Sequence, residues 1–156
     1  MASMFIQFRE NRVLLDDVIF GQNHAPIGGA IQAVYNVHTG DQGRPRIEFD
    51  GSLIAPSMTI SNAAFIANNA SEGGSVYFNG VPALFQLVNI QANTATGNGG
   101  GIHAVGGSVI KVVDGSFVSN SARQGGAMMI DELSLLHCID CSIENNTATE
   151  NGGGTC

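Results

Sequence analysis

The side chains able to do chemistry in this 156-residue chain are thirteen acids, four histidines, three cysteines and a single lysine. A glycosidase needs two carboxylates facing one cleft. A lyase needs a base beside a metal or cation that stabilises enolate-like charge. The acids weighed for such chemistry are Asp16, Asp17, Asp114, Asp131, Glu132, Asp140 and Glu144, with those of the insertion. Asp17, Asn62, Asp114 and Asp140 occupy one phase of a repeat, with Leu87 the exception, which is turn chemistry at a fixed position rather than an acid–base pair. Lys111, between Ile110 and Val112, is expected to face solvent. His103 and His137 lie in apolar strand-like stretches, and His24 and His38 lie in bends. No two of them have metal-ligand spacing, so all four are read as structural or surface groups. Cys138-Ile-Asp-Cys141 is a C-x-x-C, but zinc requires further ligands, and only Cys156 and His137 are on hand. Cys138 falls in an inward column, where a buried free thiol is ordinary; a disulfide or redox pairing is the alternative. The expectation is no catalytic residue, no metal and no cofactor, with a polysaccharide lyase or glycosidase as the rival reading.

What must position these groups is a repeat. Asn23, Asn68, Asn93, Asn120 and Asn146 each follow a large apolar residue by three positions: Phe20, Phe65, Ile90, Phe117 and Ile143. An alanine stands two residues after each Asn, at 25, 70, 95, 122 and 148. A glycine pair comes next: Gly28-Gly29, Gly73-Gly74, Gly99-Gly100, Gly125-Gly126 and Gly152-Gly153, beginning 45, 26, 26 and 27 residues apart. Four columns in one register define a repeat protein.

Each unit also carries apolar pairs at a spacing of two, the period of a strand with one buried face. Before the Phe/Ile column these are Val13/Leu15, Met58/Ile60, Ala83/Phe85, Ile110/Val112 and Leu136/Cys138; after the glycines they are Ile31/Ala33, Val76/Phe78, Ile102/Ala104 and Met128/Ile130. No helical periodicity accompanies them. About 26 residues of short strands and bends make one coil of a three-sided parallel β-solenoid, with coils stacked at about 4.8 Å. Stacked coils place Asn over Asn as an amide ladder, with glycine at tight corners and close backbone approaches. Asn itself is expected to serve the bend, since it tolerates left-handed backbone. A leucine-rich repeat has a similar period but needs more than the eight leucines present. Thr94/Thr96 and Thr147/Thr149 share columns, yet the other coils break that pattern, which disfavours an ice-binding array.

Residues 1–12 are read as a partial N-terminal coil or cap, and 13–156 as the repeat domain, interrupted by a charged, aperiodic insertion at about 35–55. Such a loop on a rigid scaffold is a place for binding function. The chain is 44% apolar and 12% charged, with a net charge of -7. That sign disfavours nucleic acid and anionic lipid as partners, and no run suits a membrane-spanning helix. The N-terminus lacks the pattern of a signal peptide. Asn69-Ala-Ser71 and Asn145-Asn-Thr147 are glycosylation sequons, relevant only in a secreted eukaryotic protein.

The pairing of Phe-x-x-Asn with Gly-Gly-Ala-[Ile/Leu/Val] resembles the repeats of the chlamydial polymorphic outer-membrane protein family. Phe20-x-x-Asn23 with Gly28-Gly-Ala-Ile31 matches fully, and Phe117-x-x-Asn120 with Gly125-Gly-Ala-Met128 nearly so. The other units depart at the alanine, as in Gly73-Gly-Ser-Val76, Gly99-Gly-Gly-Ile102 and Gly152-Gly-Gly-Thr155. The resemblance spans about residues 13–155. It implies a right-handed parallel β-helix, an all-β fold of about five coils with three short strands each, within the passenger of a surface-exposed autotransporter adhesin. Its partner would be a host-cell surface protein or glycan, and its location the cell surface, outer membrane or extracellular space. With no signal peptide, no membrane barrel and few repeats, the chain is expected to be a piece of a larger passenger. Cysteines are frequent in that family, which favours a disulfide. Because the repeated residues have structural duties, adhesion should fall to those that vary: Ser121, Arg123 and Gln124 in the fourth unit, and Arg44 and Arg46 in the insertion.

Overall fold

The computed structural model describes residues 4–8, 12–35 and 57–155, and among these there is no helix. A first strand, β1 (Met4–Phe8), precedes five coils. The first coil contains β2 (Val13–Asp16), β3 (Ile19–Gly21) and β4 (Ile31–Tyr35). The second has β5 (Met58–Ile66), β6 (Asn69–Ala70) and β7 (Val76–Asn79); the third has β8 (Pro82–Gln91), β9 (Thr94–Ala95) and β10 (Ile102–Val105). The fourth has β11 (Val109–Val118), β12 (Ser121–Gln124) and β13 (Met128–Ile130). The fifth has β14 (Leu135–Ile139), β15 (Ser142–Glu144) and β16 (Thr147–Asn151). Every pairing is parallel and runs between adjacent coils, giving three sheets: β1-β4-β7-β10-β13, then β14-β11-β8-β5-β2, with β15 and β3 alongside, and β16-β12-β9-β6. The protein is a parallel β-solenoid.

Three corners per coil turn on single left-handed residues. The first is the Asp/Asn column, Asp17, Asn62, Leu87, Asp114 and Asp140, with φ between 49° and 54°. Leu87 adopts the same conformation as its polar neighbours, so the column is set by backbone even where the side chain does not suit it. The second corner corrects the expectation for Asn: the left-handed residue is the one before it, at Gln22, Ala67, Ala92, Ser119 and Asn145, with φ between 53° and 55°. The third is the first glycine of each pair, for example Gly125 at φ 59°. The second glycine meets a different constraint. A Cβ on Gly126 would overlap the carbonyl oxygens of Gly153 and Thr147 in the next coil, so only glycine lets the coils approach there.

The core fills the interior of the stack. Phe65, Phe78, Phe85, Phe117, Met58, Ile90 and Ile110 are fully buried. Phe20 stacks on Phe65 with centroids 5.1 Å apart, and Phe78 meets Phe85 edge-on at 5.8 Å. Burial thins toward the end, where Leu136 and Cys138 are half-buried and Ile143 is exposed. Cys138 is not a free thiol: it is joined to Cys141, with Cα atoms 5.9 Å apart. The two occupy the inward positions filled by Val112 and Gly115 in the preceding coil, and left-handed Asp140 between them turns the chain so that both side chains point inward.

Candidate functional site

The repeated Asn forms a continuous ladder. Asn68 Nδ2 donates to Asn93 Oδ1 at 2.9 Å and Asn93 Nδ2 to Asn120 Oδ1 at 2.9 Å; Asn23 and Asn120 begin and extend the series to Asn68 and Asn146. The other Nδ2 hydrogen reaches back to the preceding coil, as from Asn93 to the Phe65 carbonyl at 2.9 Å. Each Oδ1 also accepts the backbone N–H of the Asn below it, as Asn120 Oδ1 does from Asn93 at 3.0 Å. The amides of Asn68, Asn93 and Asn120 thereby use both donors and both acceptor directions. These residues are wholly committed to the scaffold.

The variable residues of the fourth coil lie on the solvent side of the Asn–Gly bend. Ser121 sits in register between Thr94 and Thr147. The fifth coil has one more residue before its glycines, and the register shifts there so that Gln124 pairs with Asn151. Glu150 lies within that bulge, where it accepts from Gln124 Nε2 at 3.1 Å and pairs with Arg123 Nη1 at 3.3 Å. Arg123, Gln124 and Glu150 thus form a small charged cluster, with Arg123 and Glu150 about half exposed. Arg44 and Arg46 of the insertion lie outside the described residues.

The acid column of the first corner borders a shallow depression of about 360 Å³ shared by Asp16, Asn62, Leu87 and Asp114. Asp16 accepts from Asn62 Nδ2 at 3.0 Å. Asp16 and Asp114 belong to the first and fourth coils, so three strand spacings, about 14 Å, separate them along the stack. Glycosidase carboxylates stand no more than about 9.5 Å apart. This column is built for turning the chain.

One place breaks the repetition, and it involves an acid that does not stand out in the sequence. Glu72 precedes the glycine pair of the second coil; the same column holds Ile27, Asn98 and Gln124 elsewhere. Its carboxylate folds over Gly97, the additional bend residue of the third coil, where a Cβ would overlap it. Oε2 accepts the backbone N–H of Asn98 at 3.0 Å and lies 3.0 Å from Nδ1 of His103. His103 points outward from β10, in register with Tyr77 and Met129, yet it is only 7% exposed. The Tyr77 ring meets it edge-on, with centroids 5.5 Å apart. Nδ1 is buried against the Glu72 carboxylate, which favours the charged imidazole through its charge and a side-chain hydrogen bond. The Asn98 side-chain oxygen is buried, with no partner among the described residues. Burial lowers the His103 pKa against the opposing pull of Glu72 and Asp131. Burial first, then the same two carboxylates, raises that of Tyr77. His103 was legible as a strand residue beside apolar neighbours; its pairing with Glu72, 31 positions away, depends on coil stacking and one bulge.

Among the described residues, no helix is long and apolar enough to cross a membrane. The model of the Chlamydia polymorphic membrane protein repeat matches residues 140–156. No curated protein and no solved structure matches the chain. The matched stretch contains β15, β16 and the last glycine pair, and the ladder places its Asn146 in one column with Asn120, Asn93, Asn68 and Asn23. The stretch that matches this repeat thus lies in the last coil of a β-solenoid whose other coils are built alike.

Proposed function

We propose that the chain is a non-enzymatic, adhesin-like β-solenoid module of a surface or secreted protein, which contacts a host-cell surface protein or a glycan. The observation that supports this reading is the match of the last coil to the polymorphic membrane protein repeat, joined to the structural equivalence of the five coils. The columns shared with that repeat are consumed by the ladder, the core and the corners. Contacts with a partner are then left to the residues that differ between coils: Ser121, Arg123 and Gln124 on the bend face, and the insertion with Arg44 and Arg46. A surface of this kind, repetitive in backbone and variable in side chains, presents a broad binding face without a deep cleft.

The test is binding of the soluble protein to cultured epithelial cells and to a glycan array. An Arg123→Ala/Gln124→Ala variant and a deletion of residues 36–52 are each compared with the unaltered chain, with circular dichroism as the folding control. At least fivefold weaker binding in either variant, with the strand signal retained, supports the reading. Full binding by both removes these residues from the contact. Binding to neither cells nor glycans sets the adhesive reading aside.

A further inference from the structure

We propose that the depression on the outer face of the β2-β5-β8-β11 sheet, between Asp16 and Asp114, is a docking groove for an extended cationic peptide segment with an apolar residue between two basic ones. The groove lies on a different sheet from the bend that holds Arg123, and the proposal does not depend on the adhesive reading.

Leu87 is the anomaly from which the groove is read. Its corner column holds Asp or Asn in every other coil, all at the same left-handed φ. A leucine is strained there, and at 59% exposure its side chain fills no part of the core. A strained residue that the packing does not require points to a duty outside the fold. Leu14, 69% exposed, lines the same depression, so two leucines face solvent in one concavity of about 360 Å³. The described lining also contains the carboxylates of Asp16 and Asp114 and no basic side chain. Asp17 and Asp140 continue the exposed corner at either end. Lys111 belongs to the neighbouring outward row, with Leu84 and His137, and not to the lining. Acids around exposed leucines, in a chain of net charge -7, are complementary to a partner that is both basic and apolar.

The spacing selects an extended segment lying along the stack. Asp16 is in register through Ser61 and Gln86 with Val113, the neighbour of Asp114, so three strand spacings, about 14 Å, separate the two carboxylates along the groove. In an extended chain, side chains four residues apart lie on one face at about 13.5 Å. Two basic residues at that spacing meet Asp16 and Asp114 together. The residue midway between them faces the same side and falls between the second and third coils, beside Leu87. In a helix the same four residues cover only about 6 Å, little more than one coil. Asn62 Nδ2 holds the Asp16 carboxylate at 3.0 Å. The exposed Gln86 amide, also in the lining, offers a donor and an acceptor to the backbone of the segment.

The full chain is titrated against a short fluorescent peptide with the core Arg-Thr-Leu-Thr-Arg, followed by anisotropy at low ionic strength. The expected result is saturable binding near one peptide per chain, at least fivefold weaker for Leu87→Asn and for Asp16→Asn/Asp114→Asn. Binding should be unchanged for Leu133→Asn, which alters an exposed leucine at another corner. It should weaken at least tenfold at about 0.5 M salt. Peptides with Glu in place of both Arg, or with the two Arg only two residues apart, should bind at least fivefold more weakly. Leu87→Asn is the decisive variant: relieving a strained leucine does not unfold the chain, so its loss of binding reports the contact itself. Absence of saturable binding, binding indifferent to Leu87→Asn or to the acid variant, equal affinity for the Glu peptide, or capture of a neutral linear glycan in place of the peptide overturns the proposal.

Discussion

Asn93 and Asn120 are joined twice: the side-chain amide of Asn93 donates to the Asn120 side-chain oxygen at 2.9 Å, and the backbone amide of Asn93 donates to the same oxygen at 3.0 Å. That oxygen is thereby saturated, and the chemistry of each rung is specified atom by atom. The rung has a direction: one amide hydrogen runs to the Asn of the next coil, the other reaches back to a backbone carbonyl of the coil before, and the side-chain oxygen faces the coil before.

Replacing Asn93 by Asp discriminates this account from one in which the column only fills space. Asp keeps the size and the acceptors but loses both donors, and it sets a carboxylate against the Phe65 carbonyl and the Asn120 oxygen, which Nδ2 now serves at 2.9 Å each. Asn93→Ala leaves the Asn68 backbone and side-chain donors without their acceptor. The alanine variant is expected to lose about 2–4 kcal/mol. The aspartate variant should lose at least as much at neutral pH and recover partly in acid, as the carboxyl regains a proton. Urea unfolding at pH 7 and pH 4 measures both. An aspartate variant as stable as the parent would contradict the ladder.

Leu87 gives a prediction of opposite sign. Its φ is 52°, a region that costs a branched side chain about 1 kcal/mol, and its side chain is 59% exposed, so little packing is at stake. Asn62 occupies the same corner in the coil below at φ 49°. Leu87→Asn is expected to stabilise the protein by about 0.5–1 kcal/mol, read as a higher urea midpoint with an unchanged slope. A lower midpoint would mean that Leu87 contributes contacts that its exposure does not reveal.

These two positions show what was legible in the sequence. The Asn, Ala and Gly columns recur because every coil must solve the same packing problem at the same place, so periodicity exposes them directly. The corner at Leu87 was legible only as an exception, since a left-handed residue is recognised by side-chain type and leucine is the wrong type. The second corner was placed one residue late, on the ladder Asn, because the true left-handed positions hold Gln22, Ala67, Ala92, Ser119 and Asn145, which share no chemistry. Glu72 and His103 were illegible for a different reason. Their approach depends on the bulge at Gly97, and an irregularity leaves no column to follow. The Cys138–Cys141 link needed the left-handed turn at Asp140 before a C-x-x-C on a strand could bring its sulfurs together.

Asp131 supplies the pH dependence. Burial pushes its carboxyl pKa up, but the Ser134 hydroxyl and the amides of Gly106, Leu133 and Ser134 outweigh that, and the net shift is downward. A carboxyl depressed in the folded state stabilises it above the unfolded value of about 3.9 and loses that contribution as pH falls through the folded value. Stability should therefore decline below about pH 4. Asp131→Asn removes the titration and should flatten that part of the acid limb, as followed by thermal melting between pH 2.5 and pH 5. An unchanged acid limb would mean that the hydrogen bonds around Asp131 persist in the unfolded chain.

The disulfide bounds the last prediction. Cys138 and Cys141 are three residues apart, so closing so short a loop removes little chain entropy from the unfolded state, about 2 kcal/mol. The bond also lies in the fifth coil, where Leu136 and Cys138 are half-buried and Ile143 is exposed, so few packing contacts depend on it. Reduction should thus act locally. With a phosphine reductant, amides from Ile139 to Ile143 should exchange faster by at least tenfold, while those of β8 and the Asn93 rung keep their protection. A solenoid transmits stability chiefly between neighbouring coils, so the fourth coil should respond weakly and the third hardly at all. Loss of protection in β8 on the same scale as at Ser142 would show that the five coils unfold as one unit and that the disulfide holds more than its own corner.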